Sequence, residues 1–275
     1  MPLSHHHIRS ESFNALRLTL RTCFEKFAHR VHTERWQGAD ISTKPDMQTI
    51  ELLNVSFTMP LMGITNLDYW RQDVRPNLPW ADKHFEERVC GEPINPGVEW
   101  ANWPWGKNAE KFLDDRGMFD HNYMERYWPK VAGKWNKPTS YPGEVDLSQL
   151  PTHRGVRGEY GDMMDLVRLL ANEPLTRQAW IPIFFPDDTG IGDGGRKPCS
   201  LGYQFIVRDR SLHIYYPLRS CDFIRHFNDD IYLTLRLGLW VIEECQKLNP
   251  EWDNIKPGSL SMHCTSLHIF RNDAL

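Results

Sequence analysis

Cys199 sits in the run Lys197-Pro-Cys-Ser-Leu-Gly-Tyr-Gln-Phe205, and Arg219-Ser-Cys-Asp222 begins twenty residues after it. A thiol attacks carbon only as its thiolate, and a nearby guanidinium favours that form. A cysteine at a loop-to-strand junction with an arginine in reach therefore reads as a covalent catalyst. The competing reading is a buried, inert thiol, the commoner fate of free cysteine. Two other groups of residues carry less. Gly190-Ile-Gly192-Asp-Gly194-Gly195 has dinucleotide-loop spacing, but Arg196-Lys197-Pro198 stands where a pyrophosphate site needs a helix N-terminus. It reads as a flexible glycine loop. His263, Cys264 and His268 could offer zinc ligands, with Cys264 and His268 on one face of a strand. No second cluster completes such a site, and no metal is expected.

These residues must be positioned by regular elements. Phe13, Leu16, Leu20, Phe24, Phe27 and Val31 recur at helical spacing and predict a helix over Ser12 to His32. Thr49 to Met59 reads as a strand. Asp68 to Trp135 is dense in Trp, Pro, Gly and Asn, with short helices expected only around Ala81 to Val89 and Asn122 to Trp128. Lys137 to Gly158 reads as a loop. Gly161 to Asn172 is an amphipathic helix closed by Pro174, and Ala179 to Phe185 is a strand leading into the polar loop Pro186 to Lys197. Gly202 to Arg208 and Ser211 to Tyr216 pair across Asp209-Arg210. Asp229 or Asp230 caps a long helix to Leu248, and Ser266 to Phe270 forms a last strand.

The chain has 275 residues, 40% hydrophobic, which is enough for a substantial core. Its net charge of −4 excludes a general nucleic-acid binder, which needs basic charge against phosphates. The six cysteines form no CxxC pair and read as reduced thiols. No secretory signal or membrane-spanning apolar run is found, and His5, His6 and His7 read as an unstructured N-terminal tail.

Taken together, Pro198-Cys199, Tyr203-Gln204-Phe205, the strand pair and Arg219-Ser220-Cys221-Asp222 resemble the catalytic core of the thymidylate synthase superfamily. Pro174-Leu-Thr-Arg177 resembles its arginine segment, and Ser266-Leu-His268-Ile-Phe270 resembles its nucleoside-binding strand. The match covers residues 160–270 well. Upstream, Phe85-Glu-Glu-Arg-Val and Tyr123-Met-Glu-Arg are similar to phage-type members. The resemblance implies an α+β fold: a large twisted mixed sheet flanked by helices, with two sheets back to back in a homodimer. It also implies one domain over residues 1–275, a Trp/Pro-rich insertion at about 68–158, and a cytoplasmic protein, in the host if phage-encoded.

The resemblance also implies roles. Cys199 adds to C6 of a pyrimidine nucleotide, so that C5 attacks the carbon carried by 5,10-methylenetetrahydrofolate. Arg219, Ser220 and, across the dimer, Arg177 grip the 5′-phosphate, although Gln178 replaces the second arginine of the usual pair. His268 holds the sugar, with Phe270 beside it in place of a tyrosine; Ser200 replaces a histidine. Gln204 and Tyr123 join the substrate side, and Asp222, Trp103 and Trp105 join the folate side. Glu87 is the general acid/base, with Glu86 and Asp73 as competitors. Where most members carry asparagine, this chain has Asp230, whose carboxylate suits the N4 amino group of cytosine and repels O4 of uracil. Asn228 is the rival base reader, and a helix cap is the rival role for Asp230. The expected reaction is C5 hydroxymethylation of dCMP, favoured by the absence of a long closing segment after Phe270. C5 methylation of dCMP comes second, ahead of action on dUMP or a catalytically silent homologue.

Overall fold

The structure is a computed structural model that describes residues 6–31, 35–36, 39–40, 48–105, 110, 113–115, 117–130, 161–185, 188–189 and 197–273. In chain order it forms β1 (His6–Arg9), α1 (Phe13–Phe27), β2 (His29–Val31), β3 (Arg35–Trp36), β4 (Ala39–Asp40), β5 (Thr49–Pro60), α2 (Leu67–Val74) and α3 (Trp80–Arg88). Then come α4 (Tyr123–Tyr127), α5 (Met163–Asn172), β6 (Trp180–Pro182), β7 (Gly202–Arg208), β8 (Ser211–Asp222), α6 (Phe227–Leu248) and β9 (Lys256–Phe270). Single 3-10 turns lie at Val98–Asn102 and Pro250–Asn254.

The first helix is shorter than its periodicity predicts. Ser12 caps it by accepting from the Ala15 amide, and Phe13, Leu16, Leu20 and Phe24 are buried. Ala28 is extended, and the chain turns at once into β2, antiparallel to Thr49–Glu51. Sheet pairing on the edge of β5 overrides the last helical turn. The same edge takes His6–Arg9 as a parallel strand against Val55–Thr58, so residues read as a tail are part of the sheet. Val98–Asn102 and α2 also escaped sequence reading, because each is short and embedded in a Pro- and Asn-rich stretch. The expected loop 137–158 and the glycine loop 190–196 lie outside the described residues.

One mixed sheet organises the molecule, in the order β1-β5-β9-β8-β7-β6, with β2 also pairing to β5. β8 and β9 are parallel, while β5–β9, β7–β8 and β6–β7 are antiparallel. Helices cover one face. Phe24 of α1 lies against Phe223, Phe227 of α6 meets Phe57, and Gly238 of α6 lies on Ile214. On the other face the side chains are polar or part-exposed. Ser56 bonds His263, Thr58 bonds Ser261 and His213 bonds Ser259, while Tyr215 and Trp180 are each 40% exposed.

Strand alternation breaks along a single row. Buried positions run Leu52 then Val55 on β5, Leu218 then Cys221 on β8, and Cys264 then Leu267 on β9, three apart instead of two. Pairing continues in register on both sides of the row, from Leu53–Ser266 to Val55–Cys264 and from Leu218–Cys264 to Ser220–Ser266. Asn54, in this row, has φ of 54°. All three strands thus exchange faces together, as stacked irregularities that keep the ladder intact.

Gly238 is where α6 approaches the sheet closely: a Cβ there would lie 2.4 Å from Ile214 Cδ1. Gly238→Val is therefore expected to overpack this contact and destabilise the fold by about 1–3 kcal/mol, read as a lower urea midpoint at unchanged slope.

Candidate active site

Cys199 is held against β8 by backbone pairing. The Leu201 amide donates to Pro217 O, the Arg219 amide donates to Cys199 O (both 2.9 Å), and Ser200 bridges Leu218. This register is offset by one residue from that of β7, which pairs Gln204 with Tyr215. The offset falls at Gly202, where β6 comes so close that a Cβ would be 2.5 Å from Ile181 O. Arg219 completes the clamp, its Nε donating to Pro198 O and its Nη2 to Lys197 O, each at 2.8 Å. Cys199 is half-buried.

Beneath Cys199 lies a group of side chains on the helix-covered side. Cys221 donates to Asp230 Oδ2 at 3.5 Å. The charges of Asp230 and Cys199 both bear on Tyr123, whose hydroxyl is pushed above its ordinary range chiefly by burial. Burial likewise lifts the Asp230 carboxyl, to about 7, and the neighbouring Asp229 and Asp222 add to it, while Arg88 opposes. Burial and then the Asp230 charge push the Cys221 thiol well up. Neither acidic residue caps α6 as expected: His226 is the N-cap, and Asp229 accepts from the Asn77 amide and Nδ2 at 2.8 and 2.7 Å. Asn228 is turned away, donating to Arg75 O.

Ser220 and His268 project opposite to Cys221 and Leu267, and the Ser220 hydroxyl lies 3.2 Å from His268 Nδ1. His263 bonds Ser56, Cys264 is buried on the helix side, and the shared break turns His268 to the other face. The three residues considered for zinc are thereby separated. Arg177 is exposed, and Gln204 Nε2 donates to its carbonyl at 3.1 Å on the face opposite Tyr203. The chain's own fold does not bring these two to Cys199.

Asp222 accepts from the amides of Ile224 and Arg225, both at 2.9 Å, which tightens the turn into α6. Its Oδ2 is buried without a hydrogen-bond partner, 3.6 Å from Arg225 Nε. Arg225 reaches Asp273 and lies over the rings of Phe270, at 4.5 Å, and the exposed Trp105, at 5.6 Å. Trp103 stacks on His226 with centroids 4.8 Å apart and tilts toward Trp80.

Glu87 closes this aromatic wall. Its Oε1 accepts from the Glu99 amide at 2.9 Å, and Oε2 lies 3.2 Å from His84 Nδ1. Burial alone would raise its pKa, but the bonds from His84 and the Glu99 and Val98 amides outweigh this and leave it lowered. Its competitors point elsewhere: Glu86 is exposed, and Asp73 accepts from the Phe13 and Asn14 amides at the start of α1.

No protein-family model matches the chain. A candidate thymidylate synthase from Methanosarcina mazei is 22% identical over 181 residues, 61% of this chain and 77% of that protein. The crystal structure of thymidylate synthase from T4 phage superposes with a TM-score of 0.57 at 16% identity, over 94% of this chain and 76% of that one. The chain has the thymidylate synthase fold.

Within that fold, sequence reading missed Arg88, His84, Arg225 and His226. A signal existed for Arg88: it follows Ala81 and Phe85 at i+7 and i+3, on the face of α3 that is buried. The others declare themselves only through contacts between elements.

The Asp230 carboxyl rises from an ordinary 3.8 to about 7 on folding. Between those values the folded chain keeps a proton that the unfolded chain has lost. This stabilisation is complete below about pH 4 and lost as pH rises through 7. Asp230→Asn removes it, and is expected to shrink the wild-type stability loss between about pH 5 and pH 7 by roughly 2 kcal/mol. Urea unfolding at the two pH values measures the difference.

Proposed function

We propose that this protein transfers a one-carbon unit to C5 of a pyrimidine nucleotide, and that its reaction is hydroxymethylation of dCMP. The observation that carries the reading is that Asp230, and not Asn228, shares the pocket of Tyr123 and Cys199. Cytosine presents an N4 amino donor beside the N3 acceptor. An ionised Asp230 accepts from N4, and the same group as an acid donates to N3; a carboxylate facing O4 of uracil is repelled. An affinity near 7 keeps both forms available at neutral pH.

Cys199 is the nucleophile in this reading. Its thiolate adds to C6 and the electron pair moves onto C5, which bonds to the one-carbon unit. Loss of the C5 proton and of tetrahydrofolate leaves an exocyclic methylene, and addition of water to that carbon re-forms the C5–C6 double bond as the C6–S bond breaks. In this reading Arg219 and Ser220 hold the 5′-phosphate, and His268, 3.2 Å from the Ser220 hydroxyl, holds the sugar. Methylenetetrahydrofolate supplies the carbon at the oxidation level of formaldehyde. The residues present suit it: the buried Asp222 Oδ2, without a hydrogen-bond partner, offers an acceptor for a pteridine N–H, beside the flat Trp103–His226 stack. Trp105 would extend this wall. Glu87, ionised and fixed at the other end of it, is the general acid/base through a water.

A second copy belongs to the proposal. The uncovered sheet face, with Tyr215 and Trp180 each 40% exposed, supports back-to-back pairing that brings a partner's arginine at position 177 to the phosphate. Light scattering is expected to give twice the 32.3 kDa chain mass, and a monomer at micromolar concentration would remove this part.

Tritium release from C5-labelled dCMP tests the chemistry. Release is expected with methylenetetrahydrofolate and not without it, and Cys199→Ser should lower it at least about a thousandfold. A product heavier by about 30 Da marks hydroxymethyl transfer, and one heavier by about 14 Da marks methyl transfer. Asp230→Asn is expected to move preference toward dUMP. Folate-dependent release from neither nucleotide would leave a catalytically silent homologue.

A further inference from the structure

Arg88 has no place in the roles assigned so far, yet it is only 4% exposed. Its guanidinium carbon lies 3.9 Å from the centroid of the Tyr123 ring, and its carbonyl accepts from Trp128 Nε1. Its Nε donates to His84 Nε2 at 3.1 Å. On the other side of the same imidazole, Nδ1 lies 3.2 Å from Glu87 Oε2. His84 is 14% exposed at its side chain and stacks face to face on Trp80, with centroids 4.8 Å apart.

An arginine Nε–H can only donate, so His84 Nε2 must be the unprotonated nitrogen. The imidazole proton is then on Nδ1, directed at the Glu87 carboxylate. Were the tautomer reversed, two donors would meet at Nε2, and a lone pair would face a carboxylate at Nδ1. We propose that Arg88 and His84 are a positioning pair for Glu87, with Arg88 selecting the histidine tautomer that holds the carboxylate in place. The inference rests on the reading of Glu87 as the acid/base of the proposed reaction.

Two further observations fit. Burial and the Arg88 charge hold the His84 pKa down at about 4, so the ring is neutral in the working range and the tautomer is the only variable. Gly97 leaves no space behind the carboxylate, since a Cβ there would be 2.6 Å from Glu87 Oε2. Glu87 is thus pressed between a backbone wall, the Glu99 amide and one histidine N–H. The histidine is the arm whose direction depends on another residue.

The test has two arms. Nitrogen-15 NMR of the wild-type protein, with the His84 signals identified by their loss in a His84 variant, is expected to show the Nδ1–H tautomer at neutral pH. In Arg88→Met the ring should pass to a mixture or to Nε2–H. In the kinetic arm, His84→Phe keeps the stacking on Trp80 but not the donor, and should lower kcat about 10- to 100-fold with little change in KM. His84→Asn returns an amide donor near the Nδ1 position and should recover most of kcat. An Nε2–H tautomer in the wild type, an unaffected His84→Phe enzyme, or a His84→Asn enzyme as slow as His84→Phe would each overturn the proposal. If the wild type acts on neither dCMP nor dUMP, the reading of Glu87 fails, and the NMR arm still decides whether Arg88 sets the tautomer.

Discussion

The site hangs on the pairing of the Cys199 segment with β8. Two backbone hydrogen bonds, which make the Ser200–Leu218 bridge, and two guanidinium bonds from Arg219 bind residues 197–201 to residues 217–219. One residue is therefore both a clamp and a candidate anion ligand: Arg219 spends two N–H donors on carbonyls, and these bonds fix where the rest of its fork lies. A flexible arginine loses rotamer freedom whenever it grips a ligand, and here part of that cost is met on folding. The offset at Gly202 is what allows the clamp, because β7 in unbroken register would place Cys199 one residue away.

The break in alternation at Asn54, Arg219 and Thr265 gives the sheet its second property. On one side of the row the helix face is lined by Leu218, Cys264 and Val55, and beyond it by Cys221, Leu267 and Leu52. Ser220 and His268 consequently look away from the helices while Cys221 looks into them, toward Asp230. A regular sheet would put Ser220 on the side of Leu218 and bury its hydroxyl. The irregularity turns Ser220 of β8 and His268 of β9 to the accessible face while the next residue of β8, Cys221, faces Asp230 of α6.

Burial then sets the electrostatics. Asp230 is lifted to about 7 because its burial outweighs the Arg88 charge and the Cys221 bond, whereas Glu87, also withdrawn from water, stays below the ordinary range because three donors reach it. Arg88 bears on both, directly on the first and through His84 on the second. Two carboxylates of similar intrinsic acidity are driven apart by their surroundings, the usual basis for dividing proton-holding from proton-accepting roles.

The elements with strong local signals were legible in the chain. The three- and four-residue apolar spacing of α1, the β7–β8 hairpin around Asp209-Arg210 and the β-branched and apolar run of β5 follow from short-range physics that acts within a dozen residues. So did the spacing of Cys199, Arg219 and Asp222, because two short strands and their turn set the distance between them. Only the tertiary structure decided the rest. β1 and β2 exist because β5 has an edge to fill, and β9 runs ten residues further back than its apolar end predicts because β5 and β8 pair with it on both sides. The loss of Glu86 and Asp73 as rivals, the turning of Asn228 to Arg75, and the burial of Arg88 beside His84 depend on which elements meet. Such contacts link residues tens to hundreds of positions apart, and no local propensity encodes them.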